Sequence, residues 1–214
     1  MLEKFSGSWS VESLRAYEHE IADLFSQGKI NAPIHLTGGN EQELLTIFKT
    51  IDCHNDHVLC GWRSHVHALL KGVPPEKLTA AILAGHSVSL VFPEHKVFCS
   101  GIVGGIAPIA VGLAWAEKKK ADASPNGLCA KVHCFLGDMA GEAGVVHEAM
   151  KYATGHRLPI RWIIEDNGKS VGTDTRKSWG FFNGDGDIAG PEYISYRYEL
   201  EWPHSGTGRW VAFK

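Results

Sequence analysis

The sequence has little that would assign it to a membrane, a secretory route, nucleic acid or zinc. No apolar run reaches the ~20 residues a bilayer requires; the longest, Gly101 to Ala116, carries four glycines and a proline. The opening "MLEKFSGSWSVESLRAYEHE" has no cationic start followed by an apolar core, so no signal peptide is expected. Five cysteines form no C-x-x-C pair. Their odd count and irregular spacing argue against a disulfide framework and for reduced thiols in a cytoplasmic protein. Twelve histidines are scattered, with no H-E-x-x-H and no tight Cys/His cluster, so zinc is not expected. The formal net charge is −3 and the basic run "EKKK" at 117–120 is short, which excludes an electrostatic nucleic-acid binder. Neither an internal repeat nor a low-complexity linker interrupts the 214 residues. One domain over 1–214 is expected.

What remains is an ordinary globular composition with two kinds of periodicity. Val11, Leu14, Tyr17, Ile21, Leu24 and Phe25 recur at helical spacing between a capping Ser10 and Gly28. With a second helix at "EQELLTIFKTI" they form an expected N-terminal helical arm over residues 1–50. A short strand is expected at Val58 to Gly61, then helical "WRSHVHALLKG" and "PPEKLTAAIL", the latter with proline in its first turn. Residues 84–100 read as loop, apart from a strand at "SVSLVF". From Gly101 a glycine-rich turn enters a helix. A buried strand "AKVHCFLGD", a helix "EAGVVHEAMKYATGHR" and a second buried strand "IRWIIEDNG" follow. Strand, helix and strand in that order make a βαβ unit with parallel strands. The expected class is α/β, with its core over 101–170. "YISYRYELEW" alternates enough for a further strand. Within these elements Cys134 is expected as a small core hydrophobe and His147 as a packing residue.

Ligands of parallel α/β sheets sit outside the carboxyl ends of the strands. Both core strands end there in oxygen donors: Asp138 in "GDMAGE", and Asp166 and Asn167 in "EDNG". A carboxylate, an amide oxygen and loop carbonyls suit Mg²⁺ carrying phosphate oxygens. The same residues also suit a helix cap and an Asn-Gly turn.

The segment "FLGDMAGEAGVVHEAMKYATGHRLPIRWIIEDNGKSVGT" resembles, without a gap, the cofactor segment of the alpha subunit of thiamine-diphosphate-dependent 2-oxo acid dehydrogenase E1 components, in the transketolase-like superfamily. "GIVGGIAPIAVGLAWA", "GWRSHVHALLKGV" and "PIHLTGGNEQ" resemble three upstream segments of that family, in family order. The resemblance implies a thiamine-diphosphate-binding fold, a parallel sheet flanked by helices. It implies Mg²⁺ held by Asp138, Asn167 and the carbonyl of Lys169. Met139 and Ala140 would lie in the cofactor loop, Arg63 on the diphosphate beside Trp62, and the backbones of Gly101 and Val103 on the aminopyrimidine. His35 would stand on the substrate side, with His65 as a second candidate catalytic histidine. His204 would take the place of a further cofactor histidine in a compressed ending.

The family chemistry needs a Glu against the aminopyrimidine, carried by a separate beta-type subunit. The expected assembly is therefore α2β2, with a lipoyl acyltransferase as a further partner. The implied reaction is cleavage of a C–C bond next to a ketone. The alternatives are the N-terminal half of a split transketolase or carboligase, and a non-catalytic regulatory or assembly subunit. Two departures bear on activity: Met139 stands where the family has glycine, and Ser89 where it has histidine.

Overall fold

A computed structural model describes residues 9–180 and 193–213. In chain order the elements are α1 (Val11–Ser26), α2 (Glu41–Phe48), β1 (His57–Cys60), α3 (His65–Leu70), α4 (Pro75–Leu83), β2 (Val91–Phe92), β3 (Val97–Cys99), α5 (Ile106–Ala123), β4 (Val132–Gly137), α6 (Asp138–Gly141), α7 (Gly144–Gly155), β5 (Ile160–Asp166), β6 (Lys169–Ser170), β7 (Thr173–Asp174), α8 (Thr175–Trp179) and β8 (Tyr193–Arg197). They pack as two compact units. One takes the chain up to His54, Trp62–Gly101 and Glu199 onward; the other takes Asn55–Gly61 and Ile102–Tyr198. The helices expected as an N-terminal arm thus belong to the first unit, while residues 1–8 of that arm lie outside the described ones.

In the first unit, α1 starts where Ser10 and Ser13 cap each other. The Ser13 amide donates to Ser10 Oγ at 3.2 Å, and the Ser10 amide donates to Ser13 Oγ at 2.8 Å. Such a cap is worth ~1 kcal/mol. The apolar face predicted from spacing buries Leu14, Tyr17, Ile21 and Phe25. The strand expected at "SVSLVF" is shorter than its composition suggests. Ser89 closes a turn onto the His86 carbonyl at 3.0 Å, and only Val91–Phe92 is extended. Val91–Phe92 pairs antiparallel with Val97–Cys99, in a stretch the sequence presents as loop. A 3₁₀ turn at Pro93–His95 and a left-handed Lys96 (φ 55°) reverse the chain between them.

The second unit is built on parallel strands in the order β1, β4, β5, β8. Val132 to Leu136 of β4 are all buried, as in a strand covered on both faces, and are apolar but for His133, whose Nε2 lies 3.0 Å from Asp56 Oδ2. Cys134 lies among them as expected, and burial pushes its thiol well above the ordinary value. Helices α5 and α7 pack together in this unit. The helix expected from Glu142 is divided. A single turn, α6, follows β4 directly, and α7 begins only at Gly144. Gly141 allows that turn its place: a Cβ there would stand 3.1 Å from the Ile164 side chain of β5. The division also corrects the reading of His147. It lies on the outer face of α7, 3.5 Å from Glu142, while Val146, Ala149, Met150 and Ala153 make the packed face.

Candidate active site

In the second unit β4 and β5 are adjacent and in register, Gly137 beside Glu165. Asp138 and the Asp166–Asn167 turn therefore emerge from the same end of the sheet, where parallel sheets bind ligands. The acids differ in their surroundings. Asp166 is saturated: Oδ1 accepts the Gly168 amide at 2.8 Å, and Oδ2 faces Arg176 and, at 3.1 Å, Arg197 Nε. Asp138 is buried, and its Oδ2 has no hydrogen-bond partner among the described residues. Burial pushes its carboxyl above the ordinary 3.8. The nearby Thr175 hydroxyl opposes that rise and the Asp166 charge adds to it. Burial of the charged form without a partner on that oxygen is costly.

Asn167 is half-committed. Its Oδ1 accepts the Lys169 amide at 2.9 Å, and its Nδ2 donates to the Tyr198 hydroxyl at 3.4 Å. Gly168, at φ +72°, then turns the chain into the β6–β7 hairpin. The cap-and-turn role left open by the sequence is thus partly real, and a carbonyl-type oxygen still has a second lone pair for a metal. The donor set of Asp138, Asn167 and a backbone carbonyl is all hard oxygen, as Mg²⁺ requires. Among the described residues no three His, Cys, Asp or Glu side chains gather as a metal cluster.

Met139 sits inside α6, in a right-handed helical turn, and is absent from the residues with positive φ. The backbone here makes no demand for glycine. The Met139 sulfur instead accepts the Trp179 indole N–H at 3.2 Å. Ala140, next in the turn, is half-buried, and Val103 is exposed.

In the first unit a second cluster forms. His35 Nδ1 lies 2.6 Å from the His204 carbonyl, which can only accept, so Nδ1 carries the proton and the neutral ring presents its lone pair on Nε2. Burial, with Arg63 and His204 close by, lowers the His35 pKa from 6.5 to about 4; the hydrogen bond to the carbonyl works in the other direction. Arg63 donates from Nε to the Leu36 carbonyl at 3.0 Å and from Nη2 to the same His204 carbonyl at 3.1 Å. Trp62 stands against His35, ring centroids 5.8 Å apart, and the His204 ring is 4.8 Å from His35. The structure thus brings His35, Trp62, Arg63 and His204 together. Burial also lowers the His204 pKa, and Arg63 adds to it. Gly101 and Ser89 are both exposed.

His65 has a different place from the one expected of a catalytic histidine. It is fully buried, with Nδ1 3.1 Å from Glu18 and Nε2 2.9 Å from the Ser87 hydroxyl, so both ring nitrogens are occupied by protein. Glu18 and Ser87 were missed in the sequence. The only local signal is a glutamate beside Tyr17 on the apolar face of α1.

The geometry agrees with what comparison with known proteins gives. A family model described as dehydrogenase E1 component matches residues 10–181. The pyruvate dehydrogenase E1 component subunit alpha of Rickettsia prowazekii (strain Madrid E) is 34% identical over 175 residues, covering 77% of this chain and 52% of that protein. The protein of the same name from Zymomonas mobilis is 30% identical over 175 residues, covering 77% and 48%. That from Porphyra purpurea is 29% identical over 178 residues, covering 77% and 51%. The chain spans about half the length of the curated relatives it matches. A match over residues 10–181, which takes in every candidate residue except His204, shows that the chain belongs to the dehydrogenase E1 component family.

Proposed function

We propose that the chain is the alpha-type part of a thiamine-diphosphate- and Mg²⁺-dependent 2-oxo acid dehydrogenase E1 component, active with a separate beta-type subunit. The observation that carries this reading is the unpartnered, buried Oδ2 of Asp138 at the carboxyl end of β4, beside the Asn167 turn. Asp138 and Asn167, with the Lys169 carbonyl, would hold Mg²⁺. Arg63 would face the diphosphate, as would the amides of Met139 and Ala140 in the turn that follows β4. Gly101 and Val103 would offer backbone to the aminopyrimidine. When bound, thiamine diphosphate supplies the carbon nucleophile for attack on a ketone and the electron sink for breaking the adjacent C–C bond.

The chain's own part is to orient and to handle protons. With its pKa lowered to about 4, His35 is neutral at pH 7. Its Nδ1 proton is locked on the His204 carbonyl, so Nε2 is the atom able to take a proton from a substrate hydroxyl. A beta-type subunit would supply the Glu that the aminopyrimidine requires, in an α2β2 assembly. A lipoyl acyltransferase would take the acyl product. The named relatives, alpha subunits of pyruvate dehydrogenase E1, support a 2-oxo acid as substrate.

A second reading, a non-catalytic assembly subunit, is favoured by one observation: the His204 carbonyl holds donors of both His35 and Arg63. Calorimetry of Mg²⁺–thiamine diphosphate on the chain mixed with its beta-type partner separates the two. Saturable binding that Asp138→Ala abolishes, with turnover of a 2-oxo acid, supports the first reading. No binding in the wild-type complex would leave the second.

A further inference from the structure

Buried in the first unit is an unbroken polar chain that the proposed chemistry does not use. The Ser87 hydroxyl lies 2.9 Å from His65 Nε2, His65 Nδ1 lies 3.1 Å from Glu18 Oε1, and the Thr37 amide donates to Glu18 Oε2 at 3.0 Å. A carboxylate accepts only, so His65 Nδ1 carries the proton, and in the neutral ring Nε2 accepts from Ser87. Serine, histidine and acid in this order are the atoms of a nucleophilic triad. All three side chains are buried, Ser87 and His65 at 0% and Glu18 at 1% exposure, so no substrate reaches the hydroxyl. The arrangement has to act on its neighbours.

Those neighbours are the candidate site residues. The Thr37 amide and the Leu36 carbonyl belong to one peptide group, planar and trans. Its N–H is held by Glu18, and its oxygen accepts the Arg63 Nε–H at 3.0 Å. Holding one side of a rigid plane aims the other. The second Glu18 oxygen holds His65, two residues beyond Arg63 and at the start of α3. His35 precedes the same peptide group by one residue. Glu18 thus fixes the donor turn and the acceptor peptide of Arg63 together, and a carboxylate that draws on the N–H also strengthens the carbonyl opposite it.

We propose that Glu18 is a positioning residue: through the 36–37 peptide and His65 it sets the Arg63 guanidinium and the His35 loop in the orientation that receives a diphosphate. The proposal rests on the cofactor reading of Arg63, and its test has one arm that does not.

The first arm is hydrogen exchange at the Arg63 Nε–H, followed by NMR on the full chain. Glu18→Gln keeps the shape but cannot accept from both Thr37 and His65. Exchange at Arg63 should rise at least about tenfold, while the Ile21 amide in α1 stays unchanged. The second arm is calorimetry with inorganic diphosphate and Mg²⁺ on the chain mixed with its beta-type partner. Glu18→Gln should weaken binding about tenfold. The double variant Glu18→Gln/Arg63→Ala should bind no more weakly than Arg63→Ala alone, because Glu18 acts through Arg63. Additive losses, or Arg63 exchange within twofold of wild type, would overturn the proposal. If the wild-type chain mixed with its beta-type partner binds no diphosphate, the cofactor reading fails and Arg63 exchange alone decides the positioning role. Should Glu18→Gln not fold, Glu18→Asp, one methylene shorter, carries both arms with the same criteria.

Discussion

Glu18 and Asp138 are both buried carboxylates, one in each unit, and they are opposites. Glu18 has hydrogen-bond donors on both oxygens, an amide and an imidazole. Asp138 keeps one oxygen without a partner, next to the like charge of Asp166. The first arrangement makes a rigid scaffold, because removing the acid would strand its donors. The second is a cost to the chain by itself, which protonation or a bound cation would relieve. The comparison separates two uses of a buried charge, holding protein and holding something else.

The largest effect that could break this comparison is expected at Glu18. Glu18→Ala strands the Thr37 amide and the His65 proton and should cost about 3–5 kcal/mol in urea unfolding. A loss below about 1 kcal/mol would show that the hub does not organise its surroundings. Next, Asp138→Ala should weaken Mg²⁺-dependent thiamine diphosphate binding by about 100-fold or more in calorimetry, since it would remove a proposed ligand outright. With Asp138→Asn the sign reverses. The uncharged side chain relieves desolvation and the repulsion from Asp166, so the metal-free chain should gain on the order of 1 kcal/mol. It should also show none of the rise in Tm that the proposed Mg²⁺ site predicts for the wild type. If Asp138→Asn destabilises instead, the acid is structural.

Smaller effects sharpen the picture. Met139→Gly should cost roughly 1 kcal/mol of stability, the propensity loss of glycine in a helical turn, with Mg²⁺ binding retained. A pH titration reports on His35. Its folded pKa, about 4, lies below the ordinary 6.5, so its contribution to stability is present above 6.5 and is lost as pH falls through about 4. The wild type should therefore have a lower urea midpoint at pH 5 than at pH 7, and His35→Gln should reduce that difference. Asp138 has the opposite sign, its contribution being present below 3.8 and lost as pH rises through its raised folded value.

Much of the architecture was legible because it is local. The Ser10 cap, the face of α1 through Leu14, Tyr17 and Ile21, and the parallel strands ending in Asp138 and Asp166 all follow from short-range pattern. Where the reading departed, a tertiary contact decided. Ser87 lies in a turn bonded to His65, which shortens the expected strand. The close approach of Gly141 to Ile164 accompanies a separate turn before α7 and leaves His147 on the outside. Met139 looked like a departure at a position needing glycine, and its helical backbone shows that here it needs none.

The sequence by itself determined which residues could carry chemistry: an acid and an amide at the ends of two parallel strands, and an arginine and histidines in loops. Periodicity of 2 or 3.6 residues and strand-end placement are written in neighbouring positions. Only the tertiary structure decided which of those groups are committed to protein. Asp166 is saturated by arginines 10 and 31 residues away, Glu18 meets His65 across 47, and the His204 carbonyl reaches Arg63 across 141 and His35 across 169. Partners that distant leave no trace in local pattern, because the chain chooses them only when its apolar faces pack.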